Sequence, residues 1–262
     1  MGDKKMTAAF PAGAFALGLF LFSGNMQEGF TAGILLVFAS VLAMFLRNFL
    51  DDFLPRWSVR ICLWIAVGSL TEAAFDLSFY ALGTEKSLAL TAMTAFMGIL
   101  AGEEIYCSKE RSEMNELMWE CSVVWAIWIA AGAFREFMAS GTVFLYPAAD
   151  IGLASGSFQK AMFAFITAGT VLAVSCLILG RSCACDGYIS WLAVIPAVVY
   201  IRPFDIPLFG EGLGAAVSAA VALVFFFSVK KQQEGTLRRK VLSGIPAEMT
   251  AMGIIYMILG MY

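Results

Sequence analysis

Long apolar runs separated by short polar breaks occupy the chain from end to end. Most of these runs approach the roughly 20 residues that an α-helix needs to cross the ~30 Å hydrocarbon core of a bilayer. The pattern predicts nine such segments, at about 7–24, 29–47, 58–82, 87–106, 117–137, 157–180, 187–203, 209–229 and 245–262. The first, seventh and ninth are short, so whether each of them crosses fully stays open. We expect an all-α, polytopic membrane helix bundle that forms a single domain over residues 1–262.

Composition supports this interpretation and excludes several classes of protein. Hydrophobic residues make up 60% of the chain and charged residues 14%, against about 25% charged residues in a soluble domain. An ordinary soluble enzyme is therefore excluded, and 23 Phe with only 7 Pro exclude a disordered chain. The net charge of −3 excludes a nucleic-acid footprint. We expect a multi-pass protein of the cytoplasmic (inner) membrane, surrounded by the lipid bilayer.

The distribution of Lys and Arg predicts an orientation, because cytoplasmic loops carry an excess of positive charge. With nine segments and a cytoplasmic N-terminus, the C-terminus lies outside. The cytoplasmic side then collects 13 of the 17 basic residues: Lys4, Lys5, Arg47, Arg56, Arg60, Lys109, Arg111, Arg181, Lys230, Lys231, Arg238, Arg239 and Lys240. Without the seventh segment, the excess of basic residues on the cytoplasmic side disappears, since the basic run at 230–240 would move outside. The charge count therefore favours nine segments.

Carboxylates inside apolar segments are candidates for ion handling, because polar groups at membrane depth are costly. Glu72 and Asp76 are four residues apart in the third segment and share one helix face, where they could bind Na⁺ or relay H⁺. The alternative is that both reach interfacial water. Glu120, near one end of the fifth segment, is a third ion-path candidate, and its alternative is snorkelling to the interface.

Two further pairs of charged residues lie where segments end. Glu103 and Glu104 close the fourth segment, and we expect them to form a solvated cytoplasmic boundary. Arg135 and Glu136 close the fifth segment as a structural pair, which either neutralises itself or fixes the loop that follows.

The histidine-free chain carries six cysteines. Cys183 and Cys185 form a Cys-x-Cys at a turn, whereas common metal-ligand spacings are Cys-x₂-Cys or wider. Two free thiols are therefore the favoured interpretation, and their role stays open. Cys176 lies seven residues before Cys183, and Cys62 and Cys121 fit as small apolar fillers.

Several stretches together resemble a known family. Residues 131–144 (AGAFREFMASGTVF), 55–61 (PRWSVRI) and 101–109 (AGEEIYCSK) are similar to the end of the fifth helix, the entry into the third and the exit from the fourth in the RnfE/NqrD type of Rnf/Nqr membrane subunits. This resemblance covers about residues 1–180, a six-helix part. Within the three-segment part at 187–262, residues 209–262 resemble the last two helices of the partner type, RnfA/NqrE, on GLGAA at 212–216 and GIPAEMTAMGI at 244–254.

The resemblance implies a subunit of an ion-translocating electron-transfer complex. Members of that family share a [2Fe–2S] cluster held by cysteines of the first and fourth helices, but here the first segment has no cysteine and Met97 aligns with the fourth-helix position. A thioether does not replace a thiolate in this role. We therefore expect this chain to hold no cofactor by itself. A metal assignment to Cys176 requires a cluster shared with a partner subunit.

Three functions remain in competition. The leading one is an Rnf/Nqr-like membrane subunit that contributes scaffold and ion path, moves Na⁺ or H⁺, and has other membrane and redox subunits as partners. Such a chain is at most one subunit of a redox-driven translocase. The rivals are a stand-alone secondary transporter built from inverted repeats and a non-redox structural or assembly subunit.

Overall fold

The computed structural model describes residues 8–84, 87–108, 113–144, 146–147, 155–181, 187–201, parts of 216–231, and 244–258. These residues are 86% helical, which confirms the all-α class. The helices with stated bounds are α1 (Ala12–Phe22), α2 (Met26–Leu50), α3 (Arg56–Leu82), α4 (Leu88–Cys107), α5 (Met114–Ser140), α6 (Ala161–Ile178), α7 (Gly187–Ile201) and α8 (Ile245–Ile258). A 3₁₀ turn covers Gly156–Gln159, and Thr142–Val143 (β1) pairs with Tyr146–Pro147 (β2) in an antiparallel ladder.

Among the described residues, five helices, α2 to α6, are long and apolar enough to cross a membrane, whereas α1, α7 and α8 are shorter apolar helices. The structure thus agrees with the expectation of short first, seventh and ninth segments. The predicted segment at 209–229 lies mostly outside the described residues, and those described between 216 and 231 are helical.

Local sequence explains where several helices begin and end. The Asn25 side chain accepts the N–H of Gln27 at 3.0 Å and caps the start of α2. Ser87 caps α4 in the same way, through the N–H of Leu90 at 3.2 Å. At the other ends, Gly83 (φ 69°) and Gly141 (φ 71°) terminate α3 and α5 in the left-handed region that favours glycine.

Helix α1 is the centre of the bundle. Its 11 residues span only about 16 Å, and all but one of them are buried against α2, α4, α6 and α7. Because apolar side chains surround the whole helix, α1 has no amphipathic face, as expected for a helix enclosed by others.

Close approach between α6 and α8 depends on two glycines. A Cβ built on Gly169 of α6 would lie 2.7 Å from the carbonyl oxygen of Pro246, and one on Gly253 of α8 would lie 3.0 Å from that of Met162. These two helices run antiparallel, because residues near the start of α8 meet the middle of α6 and later residues meet its start. The small residues allow backbone contact, which favours association between membrane helices.

Six charged residues are buried in the described part of the chain, and five of them gather at two levels of the bundle; the sixth, Glu248, lies in the first turn of α8. At one level, here called the first end, α1, α3, α5 and α7 begin while α2, α4 and α6 end. At the opposite level, here called the second end, α2 and α6 begin while α1 and α5 end.

Candidate functional site

Glu103 is the centre of a polar group at the first end. Arg60 donates through Nε to Oε2 at 2.8 Å and through Nη2 to Oε1, so the ion pair is bidentate. The indole N–H of Trp64 donates to Oε2 at 2.9 Å, and the Tyr188 hydroxyl donates to Oε1 at 3.3 Å. Glu103 is only 3% exposed. With both oxygens bonded, its carboxylate ties α4 to α3 and α7.

Glu104, the next residue, faces a different helix. Its Oε2 accepts the N–H of Gly13 in the first turn of α1 at 3.1 Å. The partial positive charge of a helix N-terminus favours a carboxylate there. Gly13 permits this approach, because a Cβ at that position would overlap Oε1 of Glu104. Within the described residues Oε1 has no hydrogen-bond partner although it is buried.

Glu120 of α5 holds the segment that leads into α1. Its Oε2 accepts the N–H groups of Ala9 at 2.6 Å and Phe10 at 3.3 Å, and its Oε1 lies 3.0 Å from Nε of Arg181. Arg181 also pairs with Glu116, one turn earlier on α5. Glu120 is 2% exposed, so the snorkelling alternative is not what the structure shows.

Glu104 and Glu120 therefore hold the start of α1 and the segment before it, and one expectation from the sequence is wrong. Glu103 and Glu104 do not form a solvated boundary, since both are buried. The end of an apolar segment is not always exposed to water. Here α1 and α7 cover the end of α4. Chemically, the arrangement offers two carboxylates with salt-bridge partners and, at Glu104, one carboxylate oxygen without a partner among the described residues.

Arg135 organises the second end. Its guanidinium donates to the carbonyl oxygens of Phe158 at 2.6 Å, Gln159 at 3.0 Å and Lys160 at 3.1 Å, and to the Ser23 hydroxyl. All four acceptors are neutral. Arg135 thus contacts the described residues 158–160 that follow the loop, and the role of the Arg135/Glu136 pair stays a prediction.

Glu136 holds the start of α2. Its Oε2 accepts the N–H of Met26 at 2.7 Å. A carboxylate from α5 thus satisfies one of the free N–H groups that every helix leaves at its N-terminus. Arg135 therefore binds the 3₁₀ turn and the end of α1, whereas Glu136 binds the start of α2.

Glu72 and Asp76 lie apart from both groups of buried charges. Both belong to α3, which is the least buried of the five long helices. Asp76 is exposed and Glu72 is half-buried. Whether they handle ions stays a prediction.

Cys176 is the residue that the sequence offers as a metal ligand. It is disulfide-bonded, and a disulfide sulfur is not a thiolate ligand. Met97 is buried in the core, and Cys183 and Cys185 lie outside the described residues. No group of three His, Cys, Asp or Glu residues in the described part of the chain is arranged to hold a metal ion. The described residues do not fit the ligand pair that the resemblance implies, and a cluster shared with a partner subunit stays a prediction.

Comparison of the chain with protein-family models, curated proteins and solved structures finds no match.

Sequence reasoning missed the partners of the buried carboxylates. Arg60 and Arg181 served only to predict the membrane orientation from the distribution of basic residues. Nothing in the sequence indicated a role for Gly13. The available signal was the position of charges within one turn of helix ends, where side chains can cap a neighbouring helix.

Proposed function

We propose that this chain is a membrane subunit of a larger ion-translocating electron-transfer complex of the Rnf/Nqr kind, in which it contributes scaffold and ion path. The proposal includes nine membrane segments, a cytoplasmic N-terminus and an external C-terminus. The complex would reside in the cytoplasmic membrane and move Na⁺ or H⁺.

The outward face of α3 carries this proposal. Ser69, Glu72 and Asp76 follow helical spacing along it, and two of the three are exposed. Glu72 lies three residues from the middle of the 27-residue helix, about 5 Å along its axis. Ionisable side chains within membrane segments are typical of ion pathways. A neighbouring subunit packed on this face would place the ion path at the subunit boundary.

The first end supports the same function. Glu104 offers an oxygen without a partner among the described residues, beside the N-terminus of a buried short helix. Buried ionisable residues within membrane segments are typical of ion and proton pathways. Arg47, Arg56, Arg60 and Arg181 all belong to this end, which agrees with its proposed cytoplasmic location.

The first test is purification of the full chain from its native host in mild detergent, followed by mass spectrometry of the proteins that co-elute. We expect flavoprotein and ferredoxin-like redox subunits. Recovery of the chain alone, or as a homo-oligomer, would contradict the proposal.

The second test changes the α3 face within the assembled complex. The double variant Glu72→Gln, Asp76→Asn should still assemble but should lose most ion-coupled turnover, because the carboxylate charges are gone while the side-chain shapes remain. Asp52→Asn is the matched control, since Asp52 is exposed in the turn between α2 and α3. Ion pumping at the wild-type rate in the double variant would remove both residues from the mechanism.

One observation favours a stand-alone secondary transporter as the second candidate. Such transporters place short or broken helices at the substrate site, with the helix N-terminus facing the bound group, and α1 is short, buried and begins beside Glu104. Solute flux in proteoliposomes of the isolated chain would decide for this candidate. A structural or assembly subunit predicts no flux from the isolated chain, and loss of the complex when the chain is deleted.

A further inference from the structure

A cavity of about 390 Å³ lies at the second end of the bundle. Its polar lining comes from Arg135, Gln159 and Tyr200, and Phe20 and Ala161 contribute to its apolar walls. Cavities that hold small molecules commonly measure 300–1,000 Å³ and combine apolar walls with a few polar groups. Neither the ion path nor the scaffold role uses this cavity.

Arg135 brings a buried positive charge to the cavity. It is 4% exposed, and no carboxylate in the described part of the chain lies within ion-pair distance of it. Its four hydrogen bonds to neutral oxygens use four of the five guanidinium N–H groups, which leaves one on Nη1. A buried cation without a counter-charge is costly, so an anion in the cavity would be stabilised.

Tyr200 supplies a second donor. It lies near the end of α7 and is 38% exposed, and its hydroxyl forms no hydrogen bond with another described residue. The Glu28 carboxylate is close enough to interact with it electrostatically. Tyrosine, with an apolar ring and a polar tip, is typical of the membrane–water interface.

The depth of the cavity indicates the kind of anion. Arg135 lies 21 residues after the start of α5 at Met114, about 32 Å along the helix axis. A bilayer hydrocarbon core is about 30 Å thick, so with Met114 at one membrane surface the guanidinium would lie near the lipid headgroups of the other. The commonest anion at that level is a phosphate group.

We propose that this cavity binds a phosphate group, with Arg135 supplying the charge, Tyr200 a hydrogen bond, and the apolar walls receiving the carbon skeleton. The group belongs either to a phospholipid headgroup or to a soluble phosphate. The inference is independent of the proposed ion path, because it involves none of the residues of that path.

The experiment measures binding to the purified full-length chain by native mass spectrometry. The probes are phosphatidylglycerol, inorganic phosphate and diacylglycerol, which has acyl chains but no phosphate. Arg135 is left unchanged because it also holds three backbone carbonyls. Tyr200→Phe removes one hydroxyl and Ala161→Leu fills the cavity, while Tyr80→Phe and Ala81→Leu make the same changes at exposed positions at the end of α3.

Phosphatidylglycerol should bind the wild type, and its Kd should rise about tenfold or more when the hydrogen bond to the charged group is lost in Tyr200→Phe. Ala161→Leu should abolish binding, and both controls should match the wild type. Competition by millimolar inorganic phosphate would assign the site to a soluble phosphate, and its failure to compete would assign it to the lipid headgroup. Equal binding of diacylglycerol, unchanged binding in both cavity variants, or no binding of either phosphate probe would overturn the proposal.

Discussion

Replacing Glu120 by alanine would remove a side chain that joins the segment before α1 to α5 and to Arg181. Three contacts disappear together: the N–H groups of Ala9 and Phe10 lose their acceptor, and Nε of Arg181 loses a partner at 3.0 Å. Since Glu120 is buried, water cannot readily replace these contacts.

The expected cost follows from what stays behind. Breaking a buried ion pair by removing one partner typically costs about 3–5 kcal/mol, because an uncompensated charge remains in the interior. Arg181 keeps its pairing with Glu116, which places the loss toward the lower end of that range. We therefore expect Glu120→Ala to lower the free energy of unfolding by about 3 kcal/mol.

Glu116→Ala is the matched control. It lies one turn earlier on the same helix and pairs with the same arginine, but its side chain is 37% exposed. Exposed ion pairs contribute at most about 1 kcal/mol. Reversible unfolding of each variant in mixed micelles, followed by tryptophan fluorescence, measures both values. Equal losses for the two variants would refute the claim that burial of Glu120 is what stabilises the start of α1.

Three other expectations concern packing, capping and orientation. Gly169→Val should destabilise the fold by about 1–3 kcal/mol, because α6 and α8 touch through their backbones at this glycine. Gly156→Ala is the control and should leave thermal unfolding unchanged, because a Cβ at position 156 would have no neighbouring atom within 4 Å. Glu136→Gln should lower stability by about 1–2 kcal/mol, because a charge-assisted bond to the N–H of Met26 becomes a neutral one, and wild-type stability would contradict this role. A thiol-reactive, membrane-impermeant probe at a cysteine introduced within 230–240 should label inverted vesicles and not intact cells, and the opposite result would reverse the proposed orientation.

The helix positions could be predicted from the sequence with small errors at the ends. Segments predicted at 58–82 and 87–106 correspond to helices at Arg56–Leu82 and Leu88–Cys107, because apolar length and the capping residues Ser87 and Gly83 are local properties. Residues 7–24 formed a helix only over Ala12–Phe22. Ala9 and Phe10, which precede this helix, are held by Glu120 instead. The hydropathy of the segment gives no sign of that contact.

Less of the candidate site could be predicted. Glu120 was correctly singled out as a polar group in an apolar segment, but its partners come from residues about 60 and 110 positions away. Glu104 was assigned to solvent because the residues that follow it are polar. The glycine that makes room for its carboxylate, Gly13, belongs to another helix and looks unremarkable in sequence.

The sequence by itself determined that the chain is all-helical, that several helices are long and apolar enough to cross a membrane, and where most of the helices lie, because spanning a bilayer is a requirement on the length and polarity of each segment separately. Only the tertiary structure decided that α1 is enclosed, that Glu104 meets its N-terminus, and that Arg135 faces a cavity. Those outcomes depend on which helices pack together. A charged side chain at a helix end can reach water or a neighbouring helix equally well, and its environment is set by residues far away in the chain.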